Sequence, residues 1–122
     1  MIRSFRQDEH VLVIGSINLD LISYVDEFPE GGQTIFAKDY REYPGGKGFN
    51  LARTMAALID NVRFVCALGQ DEDAEKIRQK TSSQSELLKH AVTKPGHQTG
   101  RAFITVNSQG ENHIIVLPGA NA

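Results

Sequence analysis

A glycine-rich loop that carries one cation and one amide has the residue types best suited to binding a ligand. Residues 44–50 read Pro-Gly-Gly-Lys-Gly-Phe-Asn and come directly before an apolar helical segment. Glycines allow the backbone to approach a ligand closely, and the free N–H groups at the start of a helix attract polar ligands. Lys47 and Asn50 add a charged donor and an amide. We predict that this loop forms one wall of a site for a small polar molecule.

The spacing around Lys47 excludes the two common phosphate-binding motifs. A P-loop requires a glycine six residues before the lysine and a serine or threonine after it, but Arg41 and Gly48 occupy these positions. The dinucleotide fingerprint fails because Gly15 is followed two residues later by Ile17 and not by glycine. Considered alone, the loop is as well explained by glycines that only make a tight turn into a helix.

An amide and a carboxylate lie two residues apart just after the first predicted strand. Asn18 and Asp20 point to the same side of an extended segment, and open α/β sheets bind ligands at the carboxyl ends of their strands. With Lys47 and Asn50 opposite, they would offer acceptors and donors to several hydroxyl groups. Considered alone, asparagine and aspartate at such positions more often form a turn or a helix cap.

The elements that must position these residues alternate between strand and helix. Residues 11–14 form a short apolar run that ends at glycine, as in a strand buried on both faces of a parallel sheet, and residues 64–68 repeat this pattern. Apolar residues at helical spacing over 49–59 predict a helix that is buried on most sides. Strand, helix and strand in this order predict a right-handed βαβ unit of an open α/β sheet.

The connection between the first strand and this helix is too long for a simple loop. It spans about thirty residues, so it must contain structure of its own. Residues 19–25 and 34–43 mix β-branched and aromatic residues with polar ones, and glycine and proline separate the two segments. We predict that both segments are strands outside the main sheet.

The second half of the sequence predicts a helix followed by a hairpin. Residues 71–80 form the helix, the polar stretch 81–85 interrupts or ends it, and 86–90 make another turn. Residues 100–106 and 112–117 form the two strands of the hairpin. Both faces of this hairpin are partly apolar, so we expect one of them to meet a partner.

Composition excludes several classes of partner. With 122 residues, 40% hydrophobic and 23% charged, the chain has room for one ordinary globular domain. A net charge of −2 and scattered cations offer no footprint for nucleic acid or an anionic membrane, and no segment resembles a membrane span or a secretory signal. We therefore expect a cytoplasmic protein. Cys66, the only cysteine, lies in an apolar run and is predicted to be a core residue and not a nucleophile.

Taken together and in order, the motifs resemble the ribokinase-type carbohydrate kinases of the phosphofructokinase-B superfamily. The resemblance covers nearly the whole chain, and its segments are Gly-Ser-Ile-Asn-Leu-Asp at 15–20, Pro29 with 31–34, 44–50, 98–100, 107–110 and 114–121. It implies an α/β fold, the ribokinase-like three-layer sandwich, with residues 1–122 as its N-terminal, sugar-binding part. It also implies a small β-sheet lid, with strands within about 19–43 and 100–117, that closes over the sugar and mediates a homodimer.

The same resemblance implies which residues bind the sugar. Asn18 and Asp20 would hydrogen-bond sugar hydroxyls, and Gly46, Lys47 and Asn50 would hold the sugar from the other side. Gly45 would give the backbone its close approach, and Phe103 and Ile115 sit on lid strands that would pack over the ring. Core packing explains this last pair equally well.

Three departures from the family pattern bear on the substrate. Gln33 stands where glutamate is common, Leu51 stands where ribokinases frequently have glutamine, and Ala-Leu-Ile-Asp at 57–60 replaces an Arg-Leu-Gly ending of the helix. The neighbourhood of Leu51 also resembles the sugar-phosphate kinases of the superfamily. Ribose is favoured as the substrate, with related sugars as alternatives.

The residues that perform phosphoryl transfer in this family have no match in the sequence. Its members deprotonate the sugar hydroxyl with an aspartate in a Gly-Ala-Gly-Asp motif, whereas the last aspartate here is Asp73. The resemblance implies ATP and Mg²⁺ as cofactors and allows a monovalent cation, but their sites lie in a C-terminal half that this chain does not contain. We assign no catalytic and no metal-binding residue.

Three functions are compatible with these observations. The first is the substrate-binding and lid portion of an ATP-dependent kinase for a primary hydroxyl of ribose or a related sugar, from a truncated form or a shortened gene and inactive by itself. The second is a non-catalytic sugar-binding or oligomerisation module derived from such a kinase. The third, an ordinary small α/β protein, conflicts with the ordered agreement of motifs along the chain.

Overall fold

The chain alternates strands and helices, and the computed structural model describes Arg6 and residues 8–122. In chain order the elements are β1 (Val11–Ile14), β2 (Asn18–Tyr24), β3 (Asp39–Gly45), α1 (Lys47–Leu58), β4 (Val62–Val65), β5 (Ala67–Gly69), α2 (Glu72–Lys80), β6 (Val92–Lys94), β7 (Gly100–Val106) and β8 (Asn112–Leu117). Short 3₁₀ helices cover Ser82–Leu88 and Gly119–Asn121. Within this described part, no helix is long and apolar enough to cross a membrane.

The strands form three small sheets. β1 and β4 pair in parallel and α1 connects them, which is the predicted βαβ unit. β5 and β6 also pair in parallel. The four remaining strands form a separate sheet in the order β3-β2-β7-β8, in which β2 runs antiparallel to β3 and parallel to β7. This four-stranded sheet contains both segments that were predicted to lie outside the main sheet.

The hydrophobic core lies where β1, β4 and β5 meet the two α-helices. Phe49 of α1 and Phe64 of β4 are fully buried, and their ring centroids are 6.4 Å apart. The 3₁₀ helix after α2 adds Leu87 and Leu88 to the same cluster. Cys66 is buried and free, which confirms the prediction of a core residue, and burial raises the pKa of its thiol to about 11.

Two predictions of burial were wrong. β1 buries Val13, but Leu12 and Ile14 on its other face are 52% and 72% exposed. α1 buries Phe49 and Ala52, whereas Leu58 is 78% exposed. The reason is that, among the described residues, helices cover one face of β1, and α1 packs against the sheet along one stripe only. Apolar periodicity shows that a face is suited to burial, but it does not show what covers that face.

Two strand boundaries also differ from the predictions. The run 64–68 is divided between β4 and β5, because the chain leaves β1 as a neighbour and joins β6 instead. Cys66 lies at this change of partner, and its carbonyl oxygen accepts a hydrogen bond from the N–H of Val92 at 2.8 Å. β3 begins at Asp39 and not at residue 34, and it extends to Gly45 because its pairing with β2 continues as far as Asn18.

Helix α2 attaches the four-stranded sheet to the core. Asp71 caps α2 by accepting a hydrogen bond from the N–H of Ala74, and the same carboxylate accepts two more from Thr99, just before β7. The buried carboxylate of Asp73 forms an ion pair with Arg101 of β7. Helix α2 is therefore held to the base of β7 through the side chains of its N-cap residue and its first turn.

Candidate functional site

A groove opens between the four-stranded sheet and the start of α1. Its volume is about 400 Å³, and it is lined by polar side chains from β2 and α1 and by apolar side chains from β7 and β8. The lining residues are Ser16, Asn18, Asp20, Gly46, Lys47, Asn50, Ala102, Ile104, Ile114, Val116, Pro118 and Asn121. Five of the eight residues with a predicted sugar-binding role are among them.

One polar wall comes from β2. Asn18 and Asp20 are two residues apart on this strand, so both side chains lie on the face that lines the groove. Asn18 is opposite Gly100 in the register with β7, and Asp20 is opposite Ala102. Burial raises the pKa of the Asp20 carboxyl above its ordinary value. Asp20 is the single carboxylate of the groove, and its partial desolvation strengthens any hydrogen bond that it accepts.

The other polar wall is the first turn of α1. Gly46 precedes this helix with a φ of +97°, which is a left-handed conformation that favours glycine. The N–H of Phe49 donates to the carbonyl oxygen of Ser16 at 3.0 Å, which fastens the helix start to the chain after β1. Lys47 and Asn50 are thereby held on the groove side.

Gly45 is the register partner of Asn18 on β3 and is not in the lining of the groove. A Cβ atom on Gly45 would overlap the carboxylate of Asp20, which is packed directly against its backbone. The glycine therefore provides the space that Asp20 occupies. A close approach to the Gly45 backbone was predicted for a ligand. In the structure, the group that approaches this backbone closely is the carboxylate of Asp20.

Phe103 and Ile115 lie away from the groove. They are cross-strand neighbours on β7 and β8, and they alternate with Ala102 and Val116, which line it. Phe103 is 42% exposed and Ile115 is 72% exposed on the opposite face of the sheet. Other apolar side chains, including Ile104 and Ile114, line the groove together with Asp20 and Lys47.

The apolar lining and one amide were missed as site residues. Ala102 and Ile104 could have been identified from the period of two on β7 once β7 was known to run beside β2. Asn121 has no such local signal, because it follows β8 in a short 3₁₀ helix and bonds to the backbone of Ile17, 104 positions earlier. Residues 118–121 were singled out only as a sequence resemblance.

A metal site would require a cluster of carboxylate, histidine or cysteine side chains. Across Arg6 and residues 8–122, no cluster of three or more His, Cys, Asp or Glu side chains could hold a metal ion. The groove itself supplies one carboxylate, Asp20, whereas protein sites for Mg²⁺ rely on carboxylates together with substrate phosphates. The donor set suits hydroxyl groups better than a divalent cation.

Comparisons with known proteins agree with the motifs and the fold. The family model described as pfkB family carbohydrate kinase matches residues 8–122. A ribokinase from Lactococcus lactis subsp. lactis is 40% identical over 112 residues, which are 91% of this chain and 37% of that protein. The chain therefore spans little more than a third of the length of this relative.

Solved structures show the same fold. A ribokinase from Thermotoga maritima superposes with a TM-score of 0.83 at 36% identity, over 93% of this chain and 37% of that one. The Arabidopsis thaliana ribokinase complexed with ribose and ATP superposes with a TM-score of 0.77 at 32% identity, over 92% and 36%. The predicted ribokinase-like α/β fold is confirmed over the matched residues.

Proposed function

Because the chain belongs to the pfkB family of carbohydrate kinases, we propose that it forms the sugar-binding groove and lid of an ATP-dependent, ribokinase-type kinase. The substrate is ribose or a related sugar whose primary hydroxyl receives the phosphoryl group. One observation carries this proposal: Asn18 and Asp20 face Lys47 and Asn50 across a groove with an apolar wall. The ribokinase of Arabidopsis thaliana, which was solved with ribose and ATP, has the same fold over the matched residues.

The chemistry of the groove suits a small sugar. The carboxylate of Asp20 only accepts hydrogen bonds, the ammonium of Lys47 only donates them, and the amides of Asn18 and Asn50 do both. Hydroxyl groups need both kinds of partner when they leave water. Ile104 and Val116 provide an apolar surface for the C–H face of the ring.

We propose that this chain is inactive on its own, because the motif that the family resemblance implies for phosphoryl transfer has no match in the sequence. Neither a Gly-Ala-Gly-Asp motif nor an aspartate after Asp73 is present in the sequence. ATP and Mg²⁺, with a monovalent cation where one is used, are the cofactors we propose for the complete kinase. We assign none of their contacts to the described residues.

Sugar binding without turnover tests this proposal. Incubation of the chain with ribose and ATP·Mg²⁺ is expected to give no ADP above background, whereas titration calorimetry with ribose gives a saturable signal. Asp20→Asn should weaken ribose binding at least about tenfold, since a hydrogen bond to a charged group contributes roughly 1.5–3 kcal/mol. Asp60→Asn is the matched control, because Asp60 is exposed and outside the groove.

Two outcomes would count against the proposal. Turnover at ordinary kinase rates would show that the chain is catalytic by itself, and equal ribose affinities for Asp20→Asn and Asp60→Asn would remove Asp20 from the site. The raised pKa of Asp20 adds a further check. Its carboxylate is lost on acidification at a higher pH than for an ordinary aspartate, so ribose binding should weaken there in the wild-type chain and in Asp60→Asn, but not in Asp20→Asn.

The second candidate function is a non-catalytic module that pairs with a second copy of the chain. The observation that favours it is the apolar outer face of the hairpin, where Phe103 and Ile115 are exposed. We propose a cytoplasmic homodimer formed through the four-stranded sheet. Both candidate functions share this assembly.

Sedimentation velocity tests the proposed dimer. The wild-type chain is expected to sediment as a dimer, and Ile115→Lys is expected to sediment as a monomer, because it places a charge in the apolar contact. Glu111→Lys, in the exposed turn of the same hairpin, is the control for added charge. A monomeric wild-type chain at tens of micromolar would contradict the assembly.

A further inference from the structure

The side-chain amide of Asn121 is fixed in orientation by the backbone of Ile17. Its Oδ1 accepts a hydrogen bond from the Ile17 N–H at 3.0 Å, and its Nδ2 donates to the Ile17 carbonyl oxygen, also at 3.0 Å. Exchanging the two ends of the amide would place donor against donor and acceptor against acceptor. The corner between β1 and β2 therefore decides which end of Asn121 faces the groove.

The end that faces Asn18 is the donor. Asn121 Nδ2 is 2.9 Å from Asn18 Oδ1 and donates to it, and it is 3.0 Å from the carbonyl oxygen of Pro118. Asn18 consequently uses its oxygen as the acceptor of this bond. The Nδ2 atom of Asn18, with its two hydrogens, remains available as a hydrogen-bond donor.

The remaining donor of Asn18 is directed to the groove. Asn18 is only 8% exposed and lines the groove, and its Nδ2 donates to no partner among the described residues. No fully buried side-chain nitrogen or oxygen of the described residues lacks a partner. The Nδ2 atom of Asn18 must therefore be reached from the groove, where a ligand can accept from it.

Gly100 is the third part of this arrangement. It is the register partner of Asn18 on β7, and a Cβ atom there would overlap both Asn121 Nδ2 and Asn18 Oδ1. Any side chain at this position would therefore separate the two amides. The absence of a side chain at Gly100 is what allows their contact.

We propose that Asn121 is a positioning residue that makes Asn18 a hydrogen-bond donor toward the ligand, while Asp20 on the same face of β2 acts as the acceptor. This rests on the proposed function for the identity of the ligand as a sugar. One hydroxyl accepts from the Asn18 amide, and a neighbouring hydroxyl donates to the Asp20 carboxylate. The pair thus recognises two adjacent hydroxyls of opposite hydrogen-bonding roles.

Asn121→Asp tests this proposal because it turns the donor end of the amide, which bonds to Asn18 and to the Ile17 carbonyl oxygen, into an acceptor and leaves the bond from the Ile17 N–H in place. The new carboxylate oxygen faces Asn18, whose amide turns to donate to it and presents its oxygen to the groove. Ribose affinity should fall about fivefold to tenfold, as for the loss of one hydrogen bond. In ¹H–¹⁵N spectra, the side-chain NH₂ signals of Asn18 should respond to ribose in the wild-type chain and not in Asn121→Asp. Asn112→Asp, at the exposed start of β8, is the matched control.

Ribose-free spectra separate this proposal from the proposed function. If ribose shifts no signal of the wild-type chain, the sugar-binding function fails, but the positioning by Asn121 can still be decided. Asn121→Asp and Gly100→Ala should each move the Asn18 NH₂ signals, and Asn112→Asp should not. The proposal is overturned if these signals stay in place in both variants, or if Asn18 responds to ribose equally in Asn121→Asp and wild type.

Discussion

Replacing Asp71 with alanine is expected to lower the free energy of unfolding by about 3 kcal/mol. The carboxylate caps α2 through the N–H of Ala74 at 3.0 Å, and it accepts from the N–H and the hydroxyl of Thr99 at 2.7 and 2.6 Å. Thr99 is fully buried, so the substitution leaves its N–H without an acceptor. A lost cap and a buried unsatisfied donor add to one another. Urea unfolding followed by circular dichroism measures the difference.

Glu75→Ala is the control for the Asp71 substitution. Glu75 is also in the first turn of α2, but it is exposed, so its loss should change stability by less than about 0.5 kcal/mol. The stability of Asp71→Asn should lie between those of Asp71→Ala and Glu75→Ala, because asparagine still caps the helix but accepts from Thr99 without a charge. If Asp71→Ala and Glu75→Ala were equally stable, α2 would not be fastened to β7 in this way.

The pH dependence of the same effect has a definite sign. Burial raises the pKa of Asp71, but the hydrogen bonds from Thr99 and Ala74 outweigh it, so the pKa in the folded chain is below its ordinary value. The carboxylate therefore contributes stability above the pKa of the unfolded chain, and this contribution is lost as the pH falls through the folded pKa. The stability difference between wild type and Asp71→Ala should shrink on acidification.

The second large effect is expected for Gly48→Ala, which should cost about 2–4 kcal/mol and abolish ribose binding. A Cβ atom on Gly48 would be 2.6 Å from the carbonyl carbon of Gly15 and 2.7 Å from the N of Ser16. These are backbone atoms, so the start of α1 must move away from β1 and carry Lys47 and Asn50 with it. Without this contact, replacing a helical glycine with alanine would stabilise the helix by roughly 1 kcal/mol. A loss of stability would therefore show that the close contact with Gly15 is present.

Gly31→Ala provides the matched control for Gly48→Ala. A Cβ atom on Gly31 meets nothing within 4 Å, and the residue does not have a positive φ. The unfolding free energy and the ribose affinity of Gly31→Ala should remain close to those of the wild-type chain. A Gly48→Ala chain that is as stable as wild type, or more stable, would show that α1 does not depend on the close contact with Gly15.

Local sequence patterns were sufficient to predict most helices and strands and the polar residues that line the groove. The bounds of β1, β7 and β8 matched their apolar runs, because turn residues bracket each of them. Asn18 and Asp20 were placed on one face by the period of a strand, and Lys47 and Asn50 lie within the first turn of one helix. Each of these relations connects residues that are close in the sequence, so it can be predicted from the periods of a strand and a helix.

Other features depend on residues that are far apart in the sequence. Asp71 was interpreted as the start of a helix, and nothing nearby indicated that Thr99 would share its carboxylate. Asn121 could not be connected with Ile17 by any local pattern. Phe103 was placed over the ligand because the register between β2 and β7, which decides the groove face, is not encoded in either strand alone.

The parallel pairing of β2 with β7 has a consequence for the order of folding. One wall of the groove joins strands from opposite ends of the described sequence, and the amide that completes it is 104 residues from its backbone partner. Such contacts form only after a large loss of chain entropy, and proteins rich in them fold slowly. The groove should therefore be among the last regions to become ordered during refolding, and a ligand bound there would favour the fully folded chain.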